Sequence, residues 1–190
     1  MYLVAVAPEL QNSALKTLAA FCRKEQPFER DRKADFMDRE DQFIPHLIVS
    51  DGLAALDFYK KVFGAEEGHR MMSQDGTKLL HGEIVLDGHM MFVSDEFSEE
   101  EGGTCKMPQT LGGTCVRITL QTDDADAIAE RAVARGARLL MPVQDMFWGA
   151  RYGKLVDPFG HEWGINQQLQ EQTDKEIKAA ADDYFASGKR

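Results

Sequence analysis

The amino-acid sequence predicts an α+β fold in which two βαβββ modules form one pseudo-symmetric domain. The main observation is an internal repeat, since a duplicated supersecondary unit usually builds one domain with a shared core. Three short motifs recur 72 residues later: Asp51 as Asp123, Gly64-Ala65 as Gly136-Ala137, and Gly88-His89 as Gly160-His161. The second observation is a length of 190 residues with 43% hydrophobic residues, which suits one well-buried domain.

The first module, residues 43–94, is predicted to contain a strand, a helix and three further strands. The run FIPHLIVS at 43–50 is rich in β-branched and apolar residues, as strands are. Apolar residues recur at helical spacing over 52–63, with Asp51 placed as the N-cap and Gly64 as the terminator. Turn signals then separate strands predicted at 66–72, 78–86 and 89–94.

The second module, residues 114–168, repeats this order. A strand is predicted at 114–122, a helix at 124–134, and strands at 138–141, 149–156 and 161–166. The connecting loop, 95–113, has five acids between Asp95 and Glu101 and two Gly-Gly pairs. Such a run predicts a solvated segment, and its length makes it a candidate lid over a groove between the modules.

Both ends of the chain lie outside the repeat. Residues 1–42 predict an N-terminal extension, a helix followed by a charged linker. An alternative also fits: the native protein starts at Met37, and residues 1–36 are an appended segment. Residues 169–190 predict a C-terminal helix, because Thr173 and Glu176 have the spacing of a capping box. Its apolar stripe is expected to pack on the domain or on a second subunit.

The composition of the chain disfavours two classes of binding partner. A net charge of −10 and a pI near 5.0 disfavour nucleic acid and anionic membranes, because both would repel this surface. A neutral or cationic small molecule remains compatible. The cysteines, Cys22, Cys105 and Cys115, form no C-x-x-C pair, which predicts reduced thiols and a cytoplasmic location. The apolar start, Met1 to Ala7, is too short for a secretory signal or a membrane span.

Two runs resemble a known family: IPHLIVSDGLAALDFYKKVFGAEE at 44–67 and MPVQDMFWGARYGKLVDPFGHEWGI at 141–165. Together with the paired modules, they resemble the vicinal-oxygen-chelate superfamily, also called the glyoxalase/bleomycin-resistance fold, and within it the PhnB-like branch. The resemblance covers about residues 43–168. It implies two four-stranded half-barrels that flank a concave groove, often completed by dimerisation, with a small ligand bound inside. We therefore expect a homodimer.

The resemblance also implies a divalent metal, held by a His or Gln on the first strand of each module and a Glu on the last. The two Glu positions are Phe92 and Gly164 in this chain. The first-strand positions are Ile44 and Arg117 or, two residues along the same faces, His46 and Thr119. One imidazole cannot hold a labile divalent ion at useful affinity, so no cofactor is predicted and a divalent metal, although possible, is disfavoured.

Several polar and aromatic side chains are predicted to line the groove, because alternate strand residues share a face. Arg117 and Glu162 form either a structural ion pair or an anchor for a polar ligand. His46 is expected more often as a hydrogen-bonded histidine than as a ligand, and His46 and Glu83 are candidate acid-base residues. The predicted ligand-binding residues are His46, His81, Glu83, Phe92, Arg117, Thr119, Trp148, Tyr152 and Glu162.

Two functions remain open from the sequence. The first is a metal-independent protein of the bleomycin-resistance type that binds a small molecule without turnover. The second is an enzyme of the same superfamily, a lyase, isomerase or dioxygenase with an atypical or metal-assisted site. The missing Glu positions favour the first.

Overall fold

The structure is a computed structural model that describes residues 43–188. The predicted N-terminal helix, the charged linker and the alternative start at Met37 lie outside the described residues. The α+β fold is confirmed. The first module contains β1 (His46–Val49), α1 (Gly52–Phe63), β2 (Glu66–Met72), β3 (Leu79–Leu86) and β4 (His89–Asp95).

The second module repeats that order behind a short helix, α2 (Pro108–Leu111). Its elements are β5 (Arg117–Gln121), α3 (Ala125–Val133), β6 (Arg138–Asp145), β7 (Ala150–Val156) and β8 (Glu162–Gln168), followed by α4 (Asp174–Ala186). Strand β6 runs four residues further than expected, through Pro142. It can do so because β6 lies at a sheet edge, where proline removes no ladder hydrogen bond.

Each module forms its own four-stranded sheet. The strand orders are β1-β4-β3-β2 and β5-β8-β7-β6, and the β1–β4 and β5–β8 pairs are parallel. The hairpin turn at Asp87-Gly88 has positive φ at both residues, as its sequence predicts.

The structural repeat differs by one residue from the repeat read in the sequence. Asp51 and Asp124, rather than Asp123, are the equivalent caps: each accepts a 2.9 Å hydrogen bond from the backbone N–H three residues ahead. The offset is therefore 73 residues up to the helix start and 72 at Gly64 and in the last strand. In β7 it is 71, because Lys154 faces Gly164 as Glu83 faces Phe92. The second module has the shorter helix, which accounts for the change.

The end of each module's last strand is tied to the start of its helix. The carboxylate of Asp95 accepts a 2.7 Å hydrogen bond from the Gly52 backbone N–H. At the equivalent position, the Gln167 amide oxygen accepts one of 3.1 Å from Ala125 N–H. These side chains satisfy helix-terminal donors that have no partner within the helix.

The modules pack together through the sheet faces that carry the helices. Trp163 of β8 is fully buried, and its ring centroid lies 4.5 Å from that of Phe63 and 5.6 Å from that of Tyr59, both on α1. Trp163 therefore packs against the helix of the other module. Arg131 of α3 also donates to the Val62 carbonyl, so helix and sheet of both modules share one core.

A buried carboxylate lies at the centre of this seam. Asp157 is 4% exposed, and each of its oxygens accepts two hydrogen bonds of 2.9 Å. One oxygen binds the Tyr59 hydroxyl and the Trp163 indole N–H, and the other binds the backbone N–H groups of Phe159 and His161. Burial, together with the nearby Asp157, raises the pKa of Tyr59 well above its usual range, so the phenol keeps its proton and remains a donor.

The C-terminal helix α4 has both hydrogen bonds of the predicted capping box between Thr173 and Glu176. None of its residues is buried, and its ring contacts join Tyr184 and Phe185 to Phe147, with centroids 5.2 Å and 5.8 Å apart. The apolar stripe is therefore only partly covered by the domain. Among residues 43–188, no helix is long and apolar enough to cross a membrane.

Replacing Asp157 by alanine should lower the free energy of unfolding by about 3 kcal/mol or more, because it leaves the Tyr59 hydroxyl and Trp163 N–H buried without a partner. Urea unfolding followed by tryptophan fluorescence measures the loss. The matched control is Asp57→Ala on the exposed side of α1, which should stay within about 0.5 kcal/mol of wild type. Equal effects of the two substitutions would contradict the central role of Asp157.

Candidate functional site

One face of each sheet is left without a helix. In β3, the residues Gly82, Ile84 and Leu86 are buried while His81, Glu83 and Val85 are only half-buried, so the alternation predicted for this strand is confirmed. We call the uncovered side of the first sheet the first open face; it comprises His46, Glu66, Met71, His81, Glu83, Phe92 and Ser94.

His46, Phe92 and Glu83 lie side by side on three adjacent strands of the first open face. The rings of His46 and His81 meet that of Phe92 edge-on, with centroids 5.9 Å and 4.6 Å away. A hydrogen bond of 3.0 Å joins His46 Nε2 to Ser94 Oγ, and one of 3.3 Å joins His81 Nε2 to Glu83 Oε1. The two histidines therefore flank an aromatic ring, and each has a polar partner.

The imidazole of His46 is held in its neutral form. Desolvation lowers its pKa first, and the nearby His81 lowers it further. At neutral pH, His46 is therefore an unprotonated base with one ring nitrogen engaged by Ser94.

The corresponding side of the second sheet is the second open face, which comprises Arg117, Thr119, Arg138, Tyr152, Lys154, Glu162 and Gly164. The expected contact between Arg117 and Glu162 is present: Nη2 and Nε donate to the same carboxylate oxygen at 2.8 Å and 3.1 Å. This hydrogen bond is the main cause that raises the pKa of Arg117, and Tyr152 contributes. The remaining nitrogen, Nη1, takes no part in this ion pair.

Gly164 leaves a space that Tyr152 fills. A β-carbon at Gly164 would lie 2.7 Å from the Tyr152 hydroxyl oxygen and 2.9 Å from Thr119 Oγ1. Such contacts are shorter than van der Waals packing allows, so any side chain at this position would displace Tyr152. The glycine is therefore required by a neighbouring hydroxyl rather than by its own backbone conformation.

The positions that would hold the family's metal pair across adjacent strands. His46 lies opposite Phe92, and Thr119 lies opposite Gly164. Phenyl, hydroxyl and hydrogen replace three of the four ligands, so this donor set does not fit a divalent ion. Within residues 43–188, no group of three or more His, Cys, Asp or Glu side chains could hold a metal ion.

The predicted ligand-binding residues fall into two separate groups. His46, His81, Glu83 and Phe92 lie on the first open face, whereas Arg117, Thr119, Tyr152 and Glu162 lie on the second. Trp148 precedes β7, with its ring 5.9 Å from that of Tyr152. In the described structure, no hydrogen bond, ion pair or ring contact joins the two faces, because the modules meet through their opposite sides.

The loop between the modules does not cover either open face, and this corrects its predicted position as a lid over the groove. It contains α2, and Glu101 holds it to Lys78 of the β2–β3 hairpin at 2.9 Å. Together with the first turn of α1, it encloses an open cavity of about 790 Å³ beyond the carboxyl ends of β1 and β4. The cavity is lined by residues such as Asp51, Phe97 and Met107, none of which belongs to an open face.

Sequence reasoning missed two residues of these faces. Ser94 follows Phe92 by two positions and so shares its face, where it binds His46. Lys154 points to the same side of β7 as Tyr152 and Val156, and it is the direct cross-strand neighbour of Gly164. Lys154 could have been found from the sequence, because it is next to the apolar Leu155, which is buried, and must point to the opposite face.

Comparison with known proteins identifies the family. Residues 41–165 match the glyoxalase/bleomycin resistance protein/dioxygenase superfamily. The chain belongs to this superfamily. A relative in Mycobacterium bovis, the uncharacterized protein Mb0911c, is 41% identical over 136 residues, which cover 72% of this chain and 89% of the relative.

Solved structures of the superfamily fold agree with this assignment. TioX from Micromonospora sp. ML1 is 27% identical, with a TM-score of 0.53, and the match covers 68% of this chain and all of TioX. The PhnB protein from Bacillus cereus is 17% identical, with a TM-score of 0.51, and the match covers 67% of this chain and 99% of that protein. At that identity, the likeness to the PhnB protein shows the glyoxalase fold alone and does not select a branch.

The pKa of His46 should lie below the value of about 6.5 that free histidine has, and His81→Gln should raise it by removing a nearby positive charge. Since the folded-state pKa is the lower one, protonation favours unfolding, and stability should fall as the pH drops from the unfolded value through the folded value. An NMR titration of the imidazole protons measures the pKa. The control His89→Gln, on an exposed hairpin, should leave it unchanged. A His46 pKa above that of free histidine would contradict the expected effects of desolvation and of the neighbouring His81.

Proposed function

We propose that this glyoxalase-family protein binds a small molecule without a metal, in a groove between the first open face of one copy and the second open face of another. The observation that carries the proposal is the donor set at the family's metal positions, where His46 is the single suitable ligand and Phe92, Thr119 and Gly164 replace the others. The proposed groove keeps the superfamily's ligand site and replaces metal coordination by stacking and hydrogen bonding.

A homodimer is proposed because one chain cannot bring its two open faces together. The helix-bearing faces already form the seam around Asp157 and Trp163. The side chains at the equivalent positions of both open faces remain solvent-accessible, with His46 and Thr119 both exposed. A second copy supplies the missing wall to each face, and twofold symmetry then creates two identical grooves.

Charge supports this pairing of unlike faces. Equivalent positions at the edges of the two open faces carry opposite charges, because Glu66 corresponds to Arg138. Opposed surfaces of opposite sign steer association and fix the register of an interface. Pairing two copies of the same face would instead bring like charges together.

The groove would offer aromatic and polar contacts to its ligand. Phe92 on one wall and Tyr152 with Trp148 on the other provide rings for stacking. His46 on the first wall and Thr119 on the second provide hydrogen-bonding groups. This mixture is typical of small-molecule sites, which combine an apolar lining with a few placed polar groups. The location of the protein in the cytoplasm stays a prediction, as does membership of the PhnB-like branch.

One observation favours the second candidate, a lyase, isomerase or dioxygenase of the superfamily. His46 has a lowered pKa and is positioned by Ser94, so it could remove a proton from a bound substrate at neutral pH. Glu83 lies on the same row, beyond Phe92, and is the second candidate acid-base residue. A turnover rate that falls when His46 becomes protonated would distinguish this enzyme from a binding protein.

The shared groove can be tested by mixing two blocked variants. His46→Trp should block the first open face and Thr119→Trp the second, and each variant alone should lose binding of the neutral dye Nile red. Refolded together, the two chains form mixed dimers in which one groove carries both substitutions and the other carries none. Mixing should therefore restore about a quarter of the wild-type binding capacity.

A groove built within one chain gives a different result, since every groove then contains one substitution and mixing restores nothing. The control is a mixture of His46→Trp with Phe92→Ala, which both alter the first face and should not complement one another. A monomeric mass by light scattering would also exclude the shared groove.

The melting temperature of the full chain should not rise in a stoichiometric manner when Ni²⁺, Zn²⁺, Mn²⁺ or Fe²⁺ is added. The reason is that His46 is the single suitable ligand among the four metal positions. Thermal-shift titration, together with elemental analysis of the purified protein, measures this. Stabilisation by one metal that His46→Ala abolishes would overturn the metal-free site and favour the enzyme.

A further inference from the structure

We propose that the second open face contains an oxyanion site over Gly164, where Arg117, Thr119, Tyr152 and Lys154 bind a carboxylate, phosphate or phosphonate group of the ligand. This inference rests on the proposed function, because it names the chemical group that one wall of the groove recognises. Four lines of structural observation carry it.

The first observation is the convergence of two hydroxyl groups above a residue without a side chain. The Tyr152 and Thr119 oxygens both lie within 3 Å of the position that a β-carbon of Gly164 would take. They approach from opposite neighbouring strands, β7 and β5. Both hydroxyls thus converge above Gly164, and a side chain at position 164 would push them apart.

The second observation is a set of donors without acceptors. Lys154 stands directly opposite Gly164 on β7 and forms no hydrogen bond or ion pair anywhere in residues 43–188. The Thr119 hydroxyl likewise forms no hydrogen bond in that range, and Arg117 Nη1 takes no part in the ion pair with Glu162. Donors that remain free around one point favour an acceptor that is rich in lone pairs, and an oxyanion is such a group.

The third observation concerns the arrangement of the Arg117 side chain. Nε and Nη2 of Arg117 donate to the same oxygen of Glu162, which fixes the orientation of the guanidinium on the second open face. The third nitrogen, Nη1, takes no part in the ion pair. The ion pair with Glu162 therefore orients the Arg117 guanidinium and leaves one of its nitrogen atoms for a ligand.

The fourth observation is the sign of the local charge. The second open face has three cations, Arg117, Arg138 and Lys154, and one carboxylate, Glu162, although the whole chain has a net charge of −10. A positive patch on an acidic protein concentrates small anions and disfavours cations. Overall composition indicated a neutral or cationic ligand; the geometry of this face points instead to a ligand with an anionic group.

Backbone amide NMR of the full-length, nitrogen-15-labelled protein tests the site. The probes are sodium acetate, inorganic phosphate and methylphosphonate, each compared with sodium chloride at equal ionic strength. Acetate distinguishes a carboxylate preference from a preference for the tetrahedral anions. At least one probe should shift the amide signals of Thr119, Tyr152 and Gly164 in a saturable manner, while chloride should not.

Two variants and a matched control define the expected effects. Lys154→Gln should weaken binding of the best probe about tenfold, and Tyr152→Phe should weaken it several-fold, since charge-assisted and neutral hydrogen bonds differ by this order. The control Lys178→Gln removes one exposed cation from α4 and should change nothing. Both site substitutions are on a solvent-accessible face, and unfolding curves verify that the variants remain folded.

Failure of the oxyanion site is distinguishable from failure of the groove. Shifts that persist unchanged in Lys154→Gln and Tyr152→Phe, or saturable shifts with tetramethylammonium chloride alone, would overturn the oxyanion site, and so would the absence of shifts with all three anions. Nile red complementation between the two blocked variants would in that case still support the groove. Acetate or phosphate binding without such complementation would support the oxyanion site and overturn the shared groove.

Discussion

The fold depends on the carboxylate of Asp157, because it connects elements that are distant in sequence. Its two oxygens accept four hydrogen bonds, one of them from Tyr59 on the helix of the other module. A buried carboxylate is costly unless its lone pairs are satisfied, so the turn at 158–161, the indole of Trp163 and helix α1 must all be in place together. This requirement fixes which sheet faces form the seam. It also leaves the other two faces uncovered, and the candidate site lies there.

The two modules have the same scaffold but different chemistry. The tie between the last strand and the helix start is present in both, by Asp95 in one and Gln167 in the other. The open faces have diverged: His46, Phe92 and Glu83 in one module correspond to Thr119, Gly164 and Lys154 in the other. A neutral imidazole beside an aromatic ring on one wall and a cationic, hydroxyl-lined surface on the other would give a groove with two chemically distinct ends. An asymmetric ligand would then bind in one orientation.

Sequence reasoning predicted most of the fold because each element carries its own local signal. Helix α1 runs from Gly52 to Phe63, as its caps indicate, and the parity of β3 and the contact between Arg117 and Glu162 follow from strand alternation. Three features were not accessible in this way. The one-residue change in the repeat is absorbed within a helix, where no motif marks it. The position of the loop between the modules depends on the contact of Glu101 with Lys78. The division of the site into two faces depends on which sheet surfaces Asp157 brings together.

Gly164 has a consequence for how this family member can change over time. A Glu at this position, which the superfamily's metal site requires, cannot be accommodated while Tyr152 fills the space above the backbone. A single substitution therefore gains no ligand and loses a packed tyrosine. Restoring metal coordination would require changes at positions 92, 119 and 164 together with a new position for the Tyr152 side chain. Because these positions must change together, Gly164 makes a return to metal binding by single substitutions unfavourable.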